Sequence, residues 1–119
     1  MTLITRRVLI ATALLAAVAP AALAHHGWGS YDSDKVLTLN GTIKAATYEN
    51  PHGMLQFDAD GKTWTVVLAP PYRMQNRGLE ADMMKPGTMA TVVGYPSRND
   101  PIEMRAERIT IAGKTTELR

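Results

Sequence analysis

The sequence has 119 residues, seven of them aromatic, 45% in the hydrophobic class, and no cysteine. That length allows one domain, and the lack of thiols excludes a disulfide-stapled mini-protein, a CxxC redox centre, a thiolate zinc site and covalent c-type haem. The formal charge of +2 owes to Arg6 and Arg7: from His25 onward 11 basic residues face 11 acidic ones, so no phosphate-tracking groove and no nucleic-acid partner is expected.

Residues 1–24 read as a signal peptide. Arg6 and Arg7 supply a positive start, Val8 to Val18 form an apolar run of 11 residues broken only by Thr12, and Pro20 precedes the small-x-small site Ala22-Leu23-Ala24. The run is too short to span a bilayer, which takes about 20 residues, so no transmembrane helix is expected after cleavage. Thr5-Arg6-Arg7-Val8-Leu9-Ile10 also resembles a twin-arginine signal. The general secretory route and the twin-arginine route both lead out of the cytoplasm, and the expected compartment is a bacterial periplasm.

Cleavage after Ala24 would make His25 the first residue of the mature chain. An α-amine with an ordinary pKa near ~7.7–8.0 and an imidazole near ~6.5 both give up a proton around neutral pH at modest cost. A terminal histidine can therefore chelate one metal through its amine and its own ring. A second imidazole would complete a roughly planar set of three nitrogens, a geometry that favours copper(II).

Residues 25–35 form an N-terminal segment carrying these candidate ligands, and residues 36–119 read as a small barrel. Val36 to Tyr48 alternates as a strand around Asn40-Gly41. That pair is either a hairpin turn or a bend in one long strand; the bend is preferred, because four residues make a poor strand on their own. Met54–Asp58 and Thr63–Leu68 are predicted strands joined across Asp60-Gly61. Pro70-Pro71 opens a short helix over Tyr72–Asn76, with Gly78 ending it and another turn over Leu79–Met84. Lys85-Pro86-Gly87-Thr88 has type II turn chemistry. Met89–Tyr95 and Ile102–Ile111 are the last strands, and Gly113–Arg119 reads as a tail. The order matches an all-β OB-fold-like five-stranded Greek-key barrel with one short helix. The expected core is Leu37, Leu39, Ile43, Leu55, Phe57, Trp64, Val66, Leu68, Val92 and Ile109, with Met74, Met83, Met84, Met89 and Met104 as filling.

The three histidines of the mature chain, His25, His26 and His52, all fall outside these strands. His52 lies in the turn Asn50-Pro51-His52-Gly53, so all three can enter one metal cluster without spending any on the core. Adjacent residues of extended chain point opposite ways, so His26 joins His25 on one metal only through a turn, for which Gly27 and Gly29 give freedom. Trp28 and Tyr31 are expected chiefly to pack this segment onto the barrel, Asp32 and Glu49 are candidates to orient an imidazole, and Met54 is a candidate thioether neighbour. Arg73, Arg77, Arg98, Arg105 and Arg108 are interspersed with acids and read as a solvated face with cross-strand ion pairs.

These motifs resemble a family of small exported bacterial proteins built on a domain of unknown function. The likeness rests on His25-His26, Asn50-Pro51-His52, Gly61-Lys62-Thr63-Trp64, Arg77-Gly78-Leu79, the run Lys85-Pro86-Gly87 through Gly94-Tyr95-Pro96, and Arg105-Ala106. It implies an exported small β protein and no particular activity. The start at His25 also resembles the histidine brace of copper proteins, including periplasmic copper chaperones and copper-dependent polysaccharide oxygenases. That likeness implies that His25 contributes its amine and one ring nitrogen, and His52 the opposing imidazole; those proteins have other folds, so it concerns chemistry alone. The expected function is copper binding and handling rather than catalysis. The alternative is a periplasmic OB-type module that binds a protein or oligomer partner without metal, and a copper oxidase or oxygenase is a third reading.

Overall fold

A computed structural model describes residues 27–119. Strands β1 (Leu37–Thr47), β2 (Met54–Ala59), β3 (Lys62–Val67), β4 (Met89–Pro96), β5 (Glu103–Ile111) and β6 (Lys114–Glu117) surround one short helix, α1 (Pro71–Asn76), which lies between β3 and β4. β1 pairs antiparallel with β2 and β4, β2 with β3, and β4 with β5, while a parallel pairing of β3 with β5 closes the ring. This is the closed five-stranded barrel of an OB-fold.

The closure depends on β1 serving two neighbours. Its first half, Leu37 to Thr42, pairs with β4, and its second half, Thr42 to Thr47, pairs with β2. The chain therefore runs on through Asn40-Gly41 as one strand and does not turn back, and its irregularity lies further on, where the register against β2 shifts between Ile43 and Ala45. A Cβ on Gly41 would overlap the Asp58 carbonyl oxygen, so a side chain would block the crossing. At the far end of the sheet, β5 outruns β3, and its overhang from Arg108 to Ile111 pairs with β6. This corrects the predicted tail: Ala112 and Gly113 both adopt positive φ, at 50° and 77°, which makes a two-residue hairpin turn that sends the chain back along β5. The added strand covers an edge that would otherwise be bare.

Alternation along the strands builds the core. In β2, Leu55, Phe57 and Ala59 point inward and Gln56 and Asp58 outward; Trp64 and Val66 of β3 face them. All the predicted core residues except Leu37 are buried, and Leu37 packs against the cluster from its rim. Met74 of α1, Leu79 and Met84 join the same cluster from the connection between β3 and β4. Tyr48, at the end of β1, fixes that connection by donating its hydroxyl to the Leu79 carbonyl at 2.7 Å. Met104 is buried as expected, but Met89 is 78% exposed. Ala90 and Val92 set the inward phase of β4, which turns Met89 outward.

Candidate functional site

The outer face of β5 carries a charged row that becomes buried. Met104 and Ala106 point into the barrel, which leaves Glu103 and Arg105 on the outside. Arg105 is nevertheless only 4% exposed, a state that a guanidinium tolerates only among compensating partners. The cover comes from the N-terminal segment. A short 3-10 turn, Trp28–Ser30, and a bridge between Tyr31 and Ser97 lay this segment along the β4–β5 loop. Asp32 N–H donates to the Pro96 carbonyl at 2.9 Å, and Arg98 donates from its backbone to the Ser30 carbonyl and from Nε to the Gly29 carbonyl.

Trp28 then lies 4.2 Å from the Arg105 guanidinium carbon and Tyr31 6.0 Å from it, both measured to ring centroids. The Arg119 guanidinium stands 4.6 Å from the same Trp28 ring, and Tyr95 meets that ring edge-on at 6.1 Å. Cation–π attraction strengthens as the cation is desolvated, which suits a buried arginine under an indole. Burial lowers the Arg105 pKa, the facing Tyr31 opposes that shift, and Arg73 and Arg119 add to it. The residue remains a cation.

Tyr31 is 1% exposed and donates its hydroxyl to Glu103 Oε2 at 3.1 Å. Burial raises its pKa, and the Glu103 charge and hydrogen bond raise it further. The unfolded tyrosine ionises near the ordinary value of 10.0 while the folded one keeps its proton. Unfolding therefore releases a proton in alkali, and the stability this residue contributes is lost as pH rises past that value. Urea melts are expected to show stability falling above about pH 10, with a shallower fall in Tyr31→Phe.

On the other side of Arg105 lies His52. The loop before β2 contains the cis peptide Asn50-Pro51. Gly53 continues the β2–β3 ladder through its hydrogen bonds with Ala69 and Leu68, at 2.9 and 2.8 Å, so the residue before it is held against β3 and the start of β5. There the Arg105 terminal nitrogen reaches His52 Nε2 at 3.4 Å. His52 is half-buried. The β1–β2 and β4–β5 loops are the usual ligand-binding edge of an OB barrel; here the N-terminal segment lies along the β4–β5 loop, and Arg105 links it to His52 in the β1–β2 loop. Beside it is a cleft of about 270 Å³ lined by Trp28, Gly29, Tyr31, Ser33, Tyr95, Arg98 and Arg119.

Of the three predicted ligands, His52 is at this junction; His25 and His26 lie outside the described residues, as does the predicted signal segment. Among the described residues no group of three or more His, Cys, Asp or Glu could hold a metal. Trp28 and Tyr31 pack the N-terminal segment onto the barrel as expected. Asp32 is engaged with Lys35 at 3.8 Å and with the Asp34 N–H, and Glu49 is exposed. Met54 lines a separate hollow with Ala45, Ala46 and Gln56.

The reading of the arginines as a solvated, ion-paired face holds for Arg108, which pairs with Glu117 at 2.9 Å; Arg77 and Arg98 are exposed but bond backbone carbonyls instead of acids, and Arg105 is buried. Arg73 and Arg77 donate to the C-terminal carbonyls of Leu118, Glu117 and Arg119. Arg105 is the member of this candidate site that the sequence does not single out. Apart from the Arg105-Ala106 motif, its local signal is a strand phase that puts it outside, which describes a surface charge equally well.

No curated protein matches the chain in sequence. Among solved structures, the crystal structure of TiaS in complex with a transfer RNA and ATP is similar, with a TM-score of 0.50 and 17% identity over 75% of this chain and 20% of that one. The chain thus spans about a fifth of that protein, and the likeness shows the OB-type fold alone. A family model described as a family of unknown function (DUF6152) matches residues 12–104, most of the chain, and the protein belongs to that family.

Proposed function

We propose that this protein is exported to the periplasm and binds copper through a site made by the terminal His25, with His26, and by His52, and that it serves copper handling rather than catalysis. The observation that carries this reading is the contact chain from Trp28 to Arg105 to His52, at 4.2 and 3.4 Å. Trp28 follows His25 by three residues, a reach of about 11 Å at full extension, so the indole anchors a short tether beside His52. Cleavage after Ala24 would then bring an amine and one or two imidazoles within range of a third ring. Nitrogen donors of this kind suit copper(II), which also heads the affinity order of the divalent ions.

The test is a copper(II) titration of the chain that starts at His25, alongside its His52→Ala variant. One copper per chain is expected, and the variant should lose more than the ~10–100-fold that removing a ligand's supporting partner costs. Equal, weak binding by both would overturn the reading. The aromatic and arginine-lined cleft favours a second reading, a metal-free module for an anionic partner. Partner binding that is unchanged in chelator would support it.

A further inference from the structure

The cleft beside the N-terminal segment holds more guanidinium donors than the fold uses. Arg98 spends its Nε on the Gly29 carbonyl at 3.2 Å. Among the described residues no carboxylate pairs with it, and no acceptor takes its terminal nitrogens. Arg119 stands 4.6 Å from the Trp28 ring and 3.8 Å from Glu107 Oε2, the latter too far for a hydrogen bond. Both arginines line the cleft. A guanidinium presents its N–H donors as a planar fork that meets a carboxylate with two parallel bonds.

The surrounding charges leave this cleft positive. Buried Arg105 lies 4.2 Å from the same indole, and Arg73 and Arg119 are near enough to lower its pKa. The acids at the junction are engaged: Glu103 accepts from Tyr31 at 3.1 Å, and Glu107 faces Arg119. Arg98 is left without a counterion, and a cleft of one charge sign concentrates ions of the other. The remaining wall is aromatic. Trp28 and Tyr95 meet edge-on at 6.1 Å and offer apolar surface to a ring. At about 270 Å³ the cleft falls just under the ~300–1,000 Å³ of pockets for drug-sized ligands, so its guest is the size of one ring with a short acid arm.

We propose that this cleft binds a small ring-bearing monocarboxylate, its acid gripped by Arg98 and Arg119 and its ring packed against Trp28 and Tyr95. This inference rests on the second, metal-free reading above and names the ligand of that module. A carboxylate suits the site better than a phosphate dianion, because the one guanidinium without a counterion balances one negative charge. Arg98 already ties the N-terminal segment to the β4–β5 loop through the Ser30 and Gly29 carbonyls, and Trp28 belongs to that segment. The ligand touches both sides of this seam. It binds only the docked arrangement, so occupancy holds the segment to the barrel, and the Trp28 indole reports it.

Phenylacetate, titrated with chelator present into the chain that starts at His25, tests this. It should move the Trp28 indole signal in nitrogen-15 NMR; the other indole, Trp64, is buried in the core. It should bind about tenfold or more tightly than phenylacetamide, which lacks the charge, and than acetate, which lacks the ring. This ligand series needs no variant. Arg119→Gln leaves the Arg98 bonds to the segment in place, and Arg98→Lys keeps the charge but not the fork; each should weaken binding about tenfold. Equal binding of phenylacetate and phenylacetamide, or unchanged binding in both variants, overturns the proposal. Phenyl phosphate that binds more tightly than phenylacetate, still through Arg119, overturns the carboxylate and leaves the anion-binding reading standing. If neither acid moves the Trp28 signal, the cleft takes no anion, and that reading falls with the proposal.

Discussion

Acetylation of the terminal amine in a chain that starts at His25 will lower copper(II) affinity about a hundredfold, because it removes one arm of the proposed chelate and leaves the ring without its neighbour. In the parent, the amine and ring of one residue close on the metal together, and both are deprotonated at little cost near neutral pH. In the acetylated chain the nitrogen attached to His25 Cα is an amide, which offers a metal no lone pair until it loses its proton, and no free amine remains nearby to anchor the ion. Acetylation changes nothing in the barrel, so its melting curve without metal should match the parent's. Isothermal titration of both forms at one pH reads the effect, and matched affinities would mean that the terminal residue is not a ligand.

Gly94→Ala should cost about 3 kcal/mol or more of folding stability, at or beyond the upper end of ordinary overpacking. Gly94 sits where β4 changes register against β5: Val93 pairs with Arg108 and Gly94 with Ala106, so Glu107 is an extra residue. A Cβ on Gly94 would overlap the Arg105 carbonyl oxygen, and backbone on the opposing strand cannot swing aside as the tip of a side chain can. A domain of this size has about 5–14 kcal/mol to lose at the usual 0.05–0.15 kcal/mol per residue. Gly29→Ala is the control, since nothing lies within 4 Å of its added Cβ, and it should fall within about 0.5 kcal/mol of the parent. Urea denaturation measures both. A Gly94→Ala protein as stable as the Gly29→Ala protein would mean that the two strands do not cross so closely.

The parts of the fold that were legible in the sequence are those written in local patterning. Alternation in Met54–Ala59 separates Leu55 and Phe57 from Gln56 and Asp58 without reference to any partner strand. The turn residues at Asp60-Gly61 and Gly87 take the positive φ their types require. That β1 continues through Gly41 without turning back is legible because the segment before it is too short to stand alone, whereas the register shift between Ile43 and Ala45 has no local sequence signal. β6 was hidden for the opposite reason: Lys114-Thr115-Thr116-Glu117 has no apolar alternation, and its burial comes from pairing with β5. Residue type alone puts Met89 in the core, whereas the phase of Ala90 and Val92 points it outward.

The candidate site divides in the same way. His52 was visible as a histidine in a turn, and Trp28 and Tyr31 as aromatic packing for the N-terminal segment. Arg105 was not visible, because its burial depends on partners brought from far along the chain, His52 being 53 residues away. Strand phase identifies Arg105 as outward-facing; only the docking of Trp28 and Tyr31 over β5 changes outward into buried. That docking makes one junction of the N-terminal segment, the β1–β2 loop and the face of β5.

The most direct check is a native mass of the protein recovered from the periplasm, with copper counted on the same sample. The expected species is a polypeptide whose first residue is His25, carrying one copper ion. A polypeptide that begins at any other residue, or one that begins at His25 and stays metal-free with copper supplied, contradicts it.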